Sequence, residues 1–192
     1  MMEKLSSRHF IKVPPYITCY LCEDRNFLLL VGKIGVKVIK LDVKVLLFSN
    51  DKSIYVTKET VRTSNILSIK ETKHFRSLTK TEIKKSLLDV SRKSYKKLKL
   101  NGVGFRVSNI ELEGEKFIKL SLGLSHDIFY RVPEDIEIIV TSSTRFIVSG
   151  NSSDRVSEVS CQIRKNKIPD VYKGKGILYD DEKVILKEFK KV

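Results

Sequence analysis

One pattern occurs twice in this chain and constrains its fold more than any other feature. Lys12–Gly32 reads KVPPYITCYLCEDRNFLLLVG, and Arg131–Gly150 reads RVPEDIEIIVTSSTRFIVSG. Each copy opens on a basic residue, Val and Pro, and places an isoleucine three residues after the first proline (Ile17, Ile136). Each then closes on Phe, an apolar run and glycine. Proline at a strand entry, a polar turn and a second apolar stretch spell a β-hairpin. The expected turns are Glu23–Asn26 in the first copy and Thr141–Thr144 in the second. Two hairpins of one design imply a duplicated unit, and hence two similar tandem domains.

The remaining apolar patterns distribute between the halves accordingly. Val36, Val38, Leu41, Val45 and Leu47 form a broken alternating series, and Ile54-Tyr55-Val56 follows the turn Ser49–Lys52. In the second half GFRVSNIELEGEKFIKLSL reads as two strands joined near Glu113-Gly114, with Phe117, Leu120 and Leu122 apolar. Each half also offers one helix. Phe75, Leu78, Ile83, Leu87 and Val90 keep approximate helical spacing. Val156, Val159, Ser160 and Ile163 stand at i, i+3, i+4 and i+7, with Ser153 or Asp154 as the N-cap. The expectation is an α+β fold of two similar tandem domains, residues 1–97 and 98–192, each a mainly antiparallel sheet packed with one helix. A chain of 192 residues has room for two such cores.

Charge bears on function. Thirty-seven basic against 23 acidic residues leave a formal +14, an excess that predicts a polyanion partner through counterion release. Two zones concentrate it: Lys70–Lys99 carries eleven Lys/Arg and three Asp/Glu, and Arg164–Val192 carries nine against five. No apolar run is long enough to span a bilayer, so no membrane partner is expected. The opening MMEKLSSRHF lacks an apolar signal core, and secretion is not expected. Alanine and tryptophan are both absent. Alanine is the best helix former, so its absence has no physical motive in a globular protein. Its codons are GC-rich, whereas the abundant Lys, Ile, Asn and Phe use AT-rich ones, a bias of the kind seen in organelle genomes.

Catalytic patterns are poor. His9, His74 and His126 sit in unrelated contexts, and His126 after Ser125 reads as a solitary histidine rather than a base. Gly32-Lys33-Ile34-Gly35 lacks the Lys-Ser/Thr of a phosphate loop. Gly102-Val103-Gly104 lacks the third glycine of a dinucleotide site and reads as a place where backbone nears backbone or RNA. Cys19 and Cys22 form a lone CxxC within an apparent strand, where residues three apart face opposite ways, and Cys161 stands alone. No metal, cofactor or catalytic residue is expected, and the chain reads as a binding protein, not an enzyme. The sharpest motif is Tyr172-Lys173-Gly174-Lys175-Gly176-Ile177. Glycines admit left-handed backbone and close phosphate approach, lysines supply point charges, and Tyr172 can stack or pack.

The run IRKNKIPDVYKGKGILYDDE, Ile163–Glu182, resembles the signature of the universal L-six family of large-subunit ribosomal proteins. That family carries Ile-Arg, a further basic residue, Pro-Pro-Glu-Pro and Tyr-Lys-Gly-Lys-Gly-Ile; here Ile163-Arg164, Lys167, Ile168-Pro169-Asp170-Val171 and Tyr172–Ile177 correspond. LNGVGFR, SLGLSH and VSGNSSDRVSEV resemble further family motifs in the same order. In the first half Val13-Pro14, Gly32–Gly35 and His74–Leu78 fit loosely. The resemblance implies a structural constituent of the large subunit that binds large-subunit rRNA near the sarcin-ricin loop and stalk base, beside other ribosomal proteins and translation factors. It assigns rRNA contact to Arg164, Lys167, Tyr172, Lys173, Gly174, Lys175 and Gly176. With the codon bias, it implies an organellar type, mitochondrial ahead of plastid. A non-ribosomal basic RNA-binding protein fits the charge equally well.

Overall fold

The structure, a computed structural model, describes residues 10–22, 26–48, 52–60, 69–112 and 114–187. His9, Glu23–Arg25, Ser49–Asp51 and Glu113, which enter the expected turns and histidine set, lie outside them. The chain divides into two compact units at Arg92/Lys93. The sequence reading places this boundary at 97/98, which would cut a strand that begins at Ser94.

The first unit contains β1 (Phe10–Lys12), β2 (Thr18–Cys22), β3 (Phe27–Val31), β4 (Val36–Lys40), β5 (Val43–Phe48), β6 (Ser53–Thr60) and α1 (Ile69–Ser91). Its strands form two antiparallel sheets, β1-β6-β5 and β2-β3-β4. The second contains β7 (Ser94–Asn101), β8 (Arg106–Leu112), β9 (Glu115–Ser121), β10 (Ile128–Arg131), β11 (Ile136–Ser142), β12 (Arg145–Gly150), α2 (Ser153–Lys165) and β13 (Gly176–Tyr179). Its sheets are β10-β9-β8 and β11-β12-β7-β13, again antiparallel throughout. This is the α+β architecture of repeated sheet domains that the sequence implied. Among the described residues no helix is long and apolar enough to cross a membrane.

The duplicated hairpins occupy equivalent places. β1-β6-β5 corresponds to β10-β9-β8, and β2-β3-β4 to β11-β12-β7. The shared residues do the same work in both units. The N–H of Ile17 donates to the carbonyl of Pro14 at 3.1 Å, and that of Ile136 to Pro133 at 3.1 Å. The N–H of Val13 donates to Lys52 O at 2.9 Å, and that of Val132 to Lys116 O at 2.8 Å. Thr18 pairs with Val31, which sets buried Ile17 against Gly32, as buried Ile136 pairs with Gly150. Each glycine lies under its unit's helix: a Cβ on Gly32 would stand 2.8 Å from Val90 O of α1, and one on Gly150 would stand 3.1 Å from Val156 Cγ2 of α2.

Chain order differs between the units. In equivalent positions the first unit runs β1 to β6, whereas the second starts at the counterpart of β4 and reaches those of β1, β2 and β3 last. The helix therefore follows the second hairpin copy directly but follows the first only after three more strands. Each unit closes its own apolar core. Leu28, Leu30, Ile39, Ile54, Val56 and Ile83 centre one, and Leu98, Ile118, Leu120, Phe146, Val148 and Ile163 centre the other.

Three local expectations need correction. Leu78 is exposed, and the buried face of α1 carries Arg76, Thr79, Ile83, Ser86, Leu87, Asp89 and Val90 instead. At 3.6 residues per turn Leu78 lies about 140° around the helix from Ile83, so the five-residue step between them cannot be one stripe. The N-cap of α2 is Ser152, with Ser153 and Asp154 in the first turn. The second hairpin turn is only Ser143-Thr144, because Thr141 and Ser142 belong to β11, whose register shifts between Val140 and Ser142.

Candidate nucleic-acid interface

The basic motif near the C-terminus lies between α2 and β13, and protein contacts hold its backbone. Asp170 closes the loop: its N–H donates to Lys175 O at 3.1 Å and its carbonyl accepts the N–H of Gly174 at 2.9 Å. Its carboxylate accepts the N–H of Lys173 at 3.2 Å. The side-chain amide of Asn101, at the end of β7, donates to Gly174 O at 2.9 Å. The N–H of Lys187 donates to Val171 O at 3.0 Å. Lys173 and Lys175 are exposed on this fixed frame, and Tyr172 is 47% exposed.

The two glycines serve the protein itself. Gly174 has φ +64, the left-handed region that favours glycine, and is buried with its N–H already used. A Cβ at Gly176 would lie 2.6 Å from the backbone of Pro169. Within the chain, Leu186 approaches Gly174 and Pro169 approaches Gly176 closely. Gly102 behaves likewise, since its Cβ would meet the Phe105 ring at 2.8 Å, and Gly104 turns the chain at φ +80.

Arg164 stands apart from the lysines. Its guanidinium donates twice to Glu182, Nε to Oε2 at 3.2 Å and Nη2 to Oε1 at 2.6 Å, and lies 5.7 Å from the Tyr179 ring centroid. These hydrogen bonds hold the Glu182 carboxyl below the usual carboxylate range and raise Arg164 further. Tyr179 ends β13 and Gly176 begins it, so Arg164 and the lysine loop lie at opposite ends of the strand, roughly 10 Å apart along it. Arg164 thus anchors the segment after β13 to α2. Lys167 is partly buried, and its carbonyl accepts the N–H of Ile177 at 2.9 Å. Of the seven assigned residues, the structure brings Tyr172, Lys173 and Lys175 onto one exposed loop and gives the others packing or tethering roles. Asp170, Asn101 and Glu182 were missed. An Asp followed four residues later by Gly is a turn signal that could have revealed the first, whereas Asn101 and Glu182 come together only through folding.

The other candidates resolve into packing. Gly32–Gly35 caps the end of α1, where the N–H of Ile34 donates to Val90 O at 3.3 Å. Cys19 faces the core and burial pushes its thiol up, while Cys22 and Cys161 are exposed. The Asp127 carboxylate beside exposed His126 is held by Lys119 at 2.8 Å and Ser121 at 2.6 Å, so it does not orient the imidazole. A cleft between the β8–β9 hairpin and β11 is lined by Glu111, Glu134, Asp135 and Glu137 against Lys93 and Lys116, an acidic excess that does not favour phosphate.

The family described as ribosomal protein L6 matches residues 101–180. The chain is similar to the large ribosomal subunit protein uL6 of Sinorhizobium medicae, 36% identical over 144 residues, covering 74% of this chain and 79% of that protein. It is also similar to uL6 of Rhodopseudomonas palustris, 40% identical over 124 residues, covering 63% and 68%.

Proposed function

The chain belongs to the uL6 family of large-subunit ribosomal proteins, and on that footing we propose that it binds large-subunit rRNA through Lys173 and Lys175, with Tyr172 beside them. The family is one of structural constituents of the large subunit. The observation that carries the reading is the pairing of two exposed lysines with a backbone pinned by Asp170, Asn101 and Lys187. A pre-set loop presents its charges to phosphate without ordering cost at binding. Arg164 contributes by fixing the following segment through Glu182. The same family resemblance supports a seat near the sarcin-ricin loop and the stalk base, beside other large-subunit proteins and within reach of translation factors.

The test is binding of the full chain to a large-subunit rRNA transcript at graded salt. Lys173→Gln with Lys175→Gln should lower the slope of log affinity against log salt by about 1.4 to 1.8, from about 0.7 to 0.9 per phosphate. A loss of affinity with an unchanged slope would remove these lysines from phosphate contact. Footprinting of the bound transcript should protect the sarcin-ricin region, and protection elsewhere alone would move the seat.

The chain's place of work is proposed to be an organelle ribosome, mitochondrial ahead of plastid. The support is the complete absence of alanine in a chain rich in AT-coded residues. Recovery of the chain only from cytosolic ribosomes on a gradient would overturn this.

A further inference from the structure

The outer face of the second unit's larger sheet, turned away from α2, is a surface that the terminal loop does not account for. Along β7, Tyr95, Lys97, Lys99 and Asn101 share this face, while Leu98 and Leu100 point into the core. Arg145 stands opposite Lys99, and Ile147 opposite Lys97, with Ile139 beyond it. Tyr95 is 63% exposed and Ile139 47%. The ammonium of Lys97 lies 5.9 Å from the Tyr95 ring centroid. Glu137 on this face pairs with Lys93 at 3.5 Å. At the β13 edge of the face Lys99 donates to the carbonyl of Asp180, lies beside buried Leu178 and helps to hold the Glu182 carboxyl low, which leaves Lys97 and Arg145 as the outer cations.

The first unit supplies an internal control. Counting back from the matching glycines, Val36, Val38 and Lys40 of β4 take the places of Tyr95, Lys97 and Lys99, and Phe27 takes that of Arg145. There the same sheet position carries exposed valines, at 61% and 59%. Lys40 keeps the cation at the place of Lys99, but the fold does not require one at the places of Lys97 and Arg145, where the second unit adds charge beside an exposed ring.

We propose that this face is a second RNA-contact surface, with an unpaired base stacked on Tyr95 and its phosphates neutralised by Lys97 and Arg145. The inference rests on the rRNA-binding reading. An exposed aromatic among cations on a sheet is a sequence-tolerant platform for bases, and Ile139 and Ile147 extend its apolar floor. The face ends at Asn101, which holds the lysine loop by Gly174 O. Sheet and loop together form one basic strip about 20 Å long beside β7.

The test uses the full chain and a large-subunit rRNA transcript. Lys97→Gln with Arg145→Gln should lower the salt slope by about 1.4 to 1.8, at about 0.7 to 0.9 per phosphate, with the thermal unfolding midpoint unmoved. Separately, Tyr95→Ala should weaken binding roughly 5- to 100-fold, while Tyr95→Phe keeps it. Ultraviolet cross-linking of the wild-type complex should place RNA on the peptide containing Tyr95. If this sheet variant keeps the wild-type slope while Lys173→Gln with Lys175→Gln lowers it, the loop binds alone and the sheet proposal is overturned. If neither variant changes the slope, the rRNA reading falls with it. If the sheet variant keeps its RNA affinity but loses a neighbouring protein from purified subunits, the face docks protein and the proposal is likewise overturned.

Discussion

Gly32 and Gly150 occupy the same place in the two units, yet the atoms above them differ in how far they can give. A Cβ at Gly32 would clash with Val90 Cγ1 and meet the Val90 backbone carbonyl at 2.8 Å, whereas at Gly150 it would meet the flexible Cδ1 of Ile136 at 2.7 Å and backbone only at 3.2 Å, the carbonyl of Asp135. Backbone inside a helix cannot step aside, so Gly32→Ala should cost about 1 to 3 kcal/mol and Gly150→Ala distinctly less. Urea midpoints at constant m-value measure both, and equal losses would show that α1 shifts as readily as the Ile136 side chain. Glu182 offers a pH test. Its folded carboxyl lies below its unfolded value because of Arg164, so its stabilisation is fully present above about pH 4.3 and is lost as pH falls through the lower folded value. Side chains 27% and 26% exposed limit the pair to about 1 kcal/mol. Glu182→Gln should therefore destabilise at pH 7 by about that much and by progressively less as pH falls through the lowered folded value. Asp127, held low by Lys119 and Ser121, titrates in both proteins and cancels in the comparison.

At the scale of the element, α1 shows how a helix can carry its unit with a mixed face. Arg76 is buried and donates from Nε and Nη2 to Val56 O at 2.9 and 2.6 Å, and from Nη2 to the Tyr55 hydroxyl at 3.0 Å. Asp89, also buried, accepts from Lys37 at 2.6 Å and ties α1 to β4. Polar side chains with such partners substitute for apolar ones, which is why counting hydrophobic residues alone mistook Leu78 for a core position. Ile83→Ala, at 0% exposure, should cost about 2 to 5 kcal/mol, and Leu78→Gln at 51% exposure should stay within about 0.5. Chemical denaturation of the two variants checks this, and a large effect at Leu78 would mean that the helix is rotated. α2 was more legible, since Val156, Val159, Ser160 and Ile163 are all buried as their spacing implies. On the loop, Lys173 and Lys175 could be recognised by type, but the roles of Gly174 and Gly176 could not, because Leu186 and Pro169 meet them only after folding.

For the whole molecule, each core cluster draws its residues from a single unit. Residues 93–192 expressed alone should consequently unfold in one cooperative urea transition, followed by far-ultraviolet dichroism; a gradual, uncooperative loss would show that this core is insufficient by itself. What the amino-acid order determined without help was local: strand alternation, the helix stripe of α2, the Val-Pro…Ile…Gly hairpin and the basic excess. These follow from the pleat, the helical turn and charge count, all of which act between near neighbours in the chain. Only the tertiary structure decided which distant segments became neighbours. It placed β1 beside β6 but its counterpart β10 beside β9, so the duplicated units share one strand arrangement in two chain orders. It set Arg145 against Lys99 and turned Arg164 toward Glu182. Partner choice between remote strands depends on the sum of register, core packing and loop closure over the whole unit, and no short stretch of sequence contains that sum.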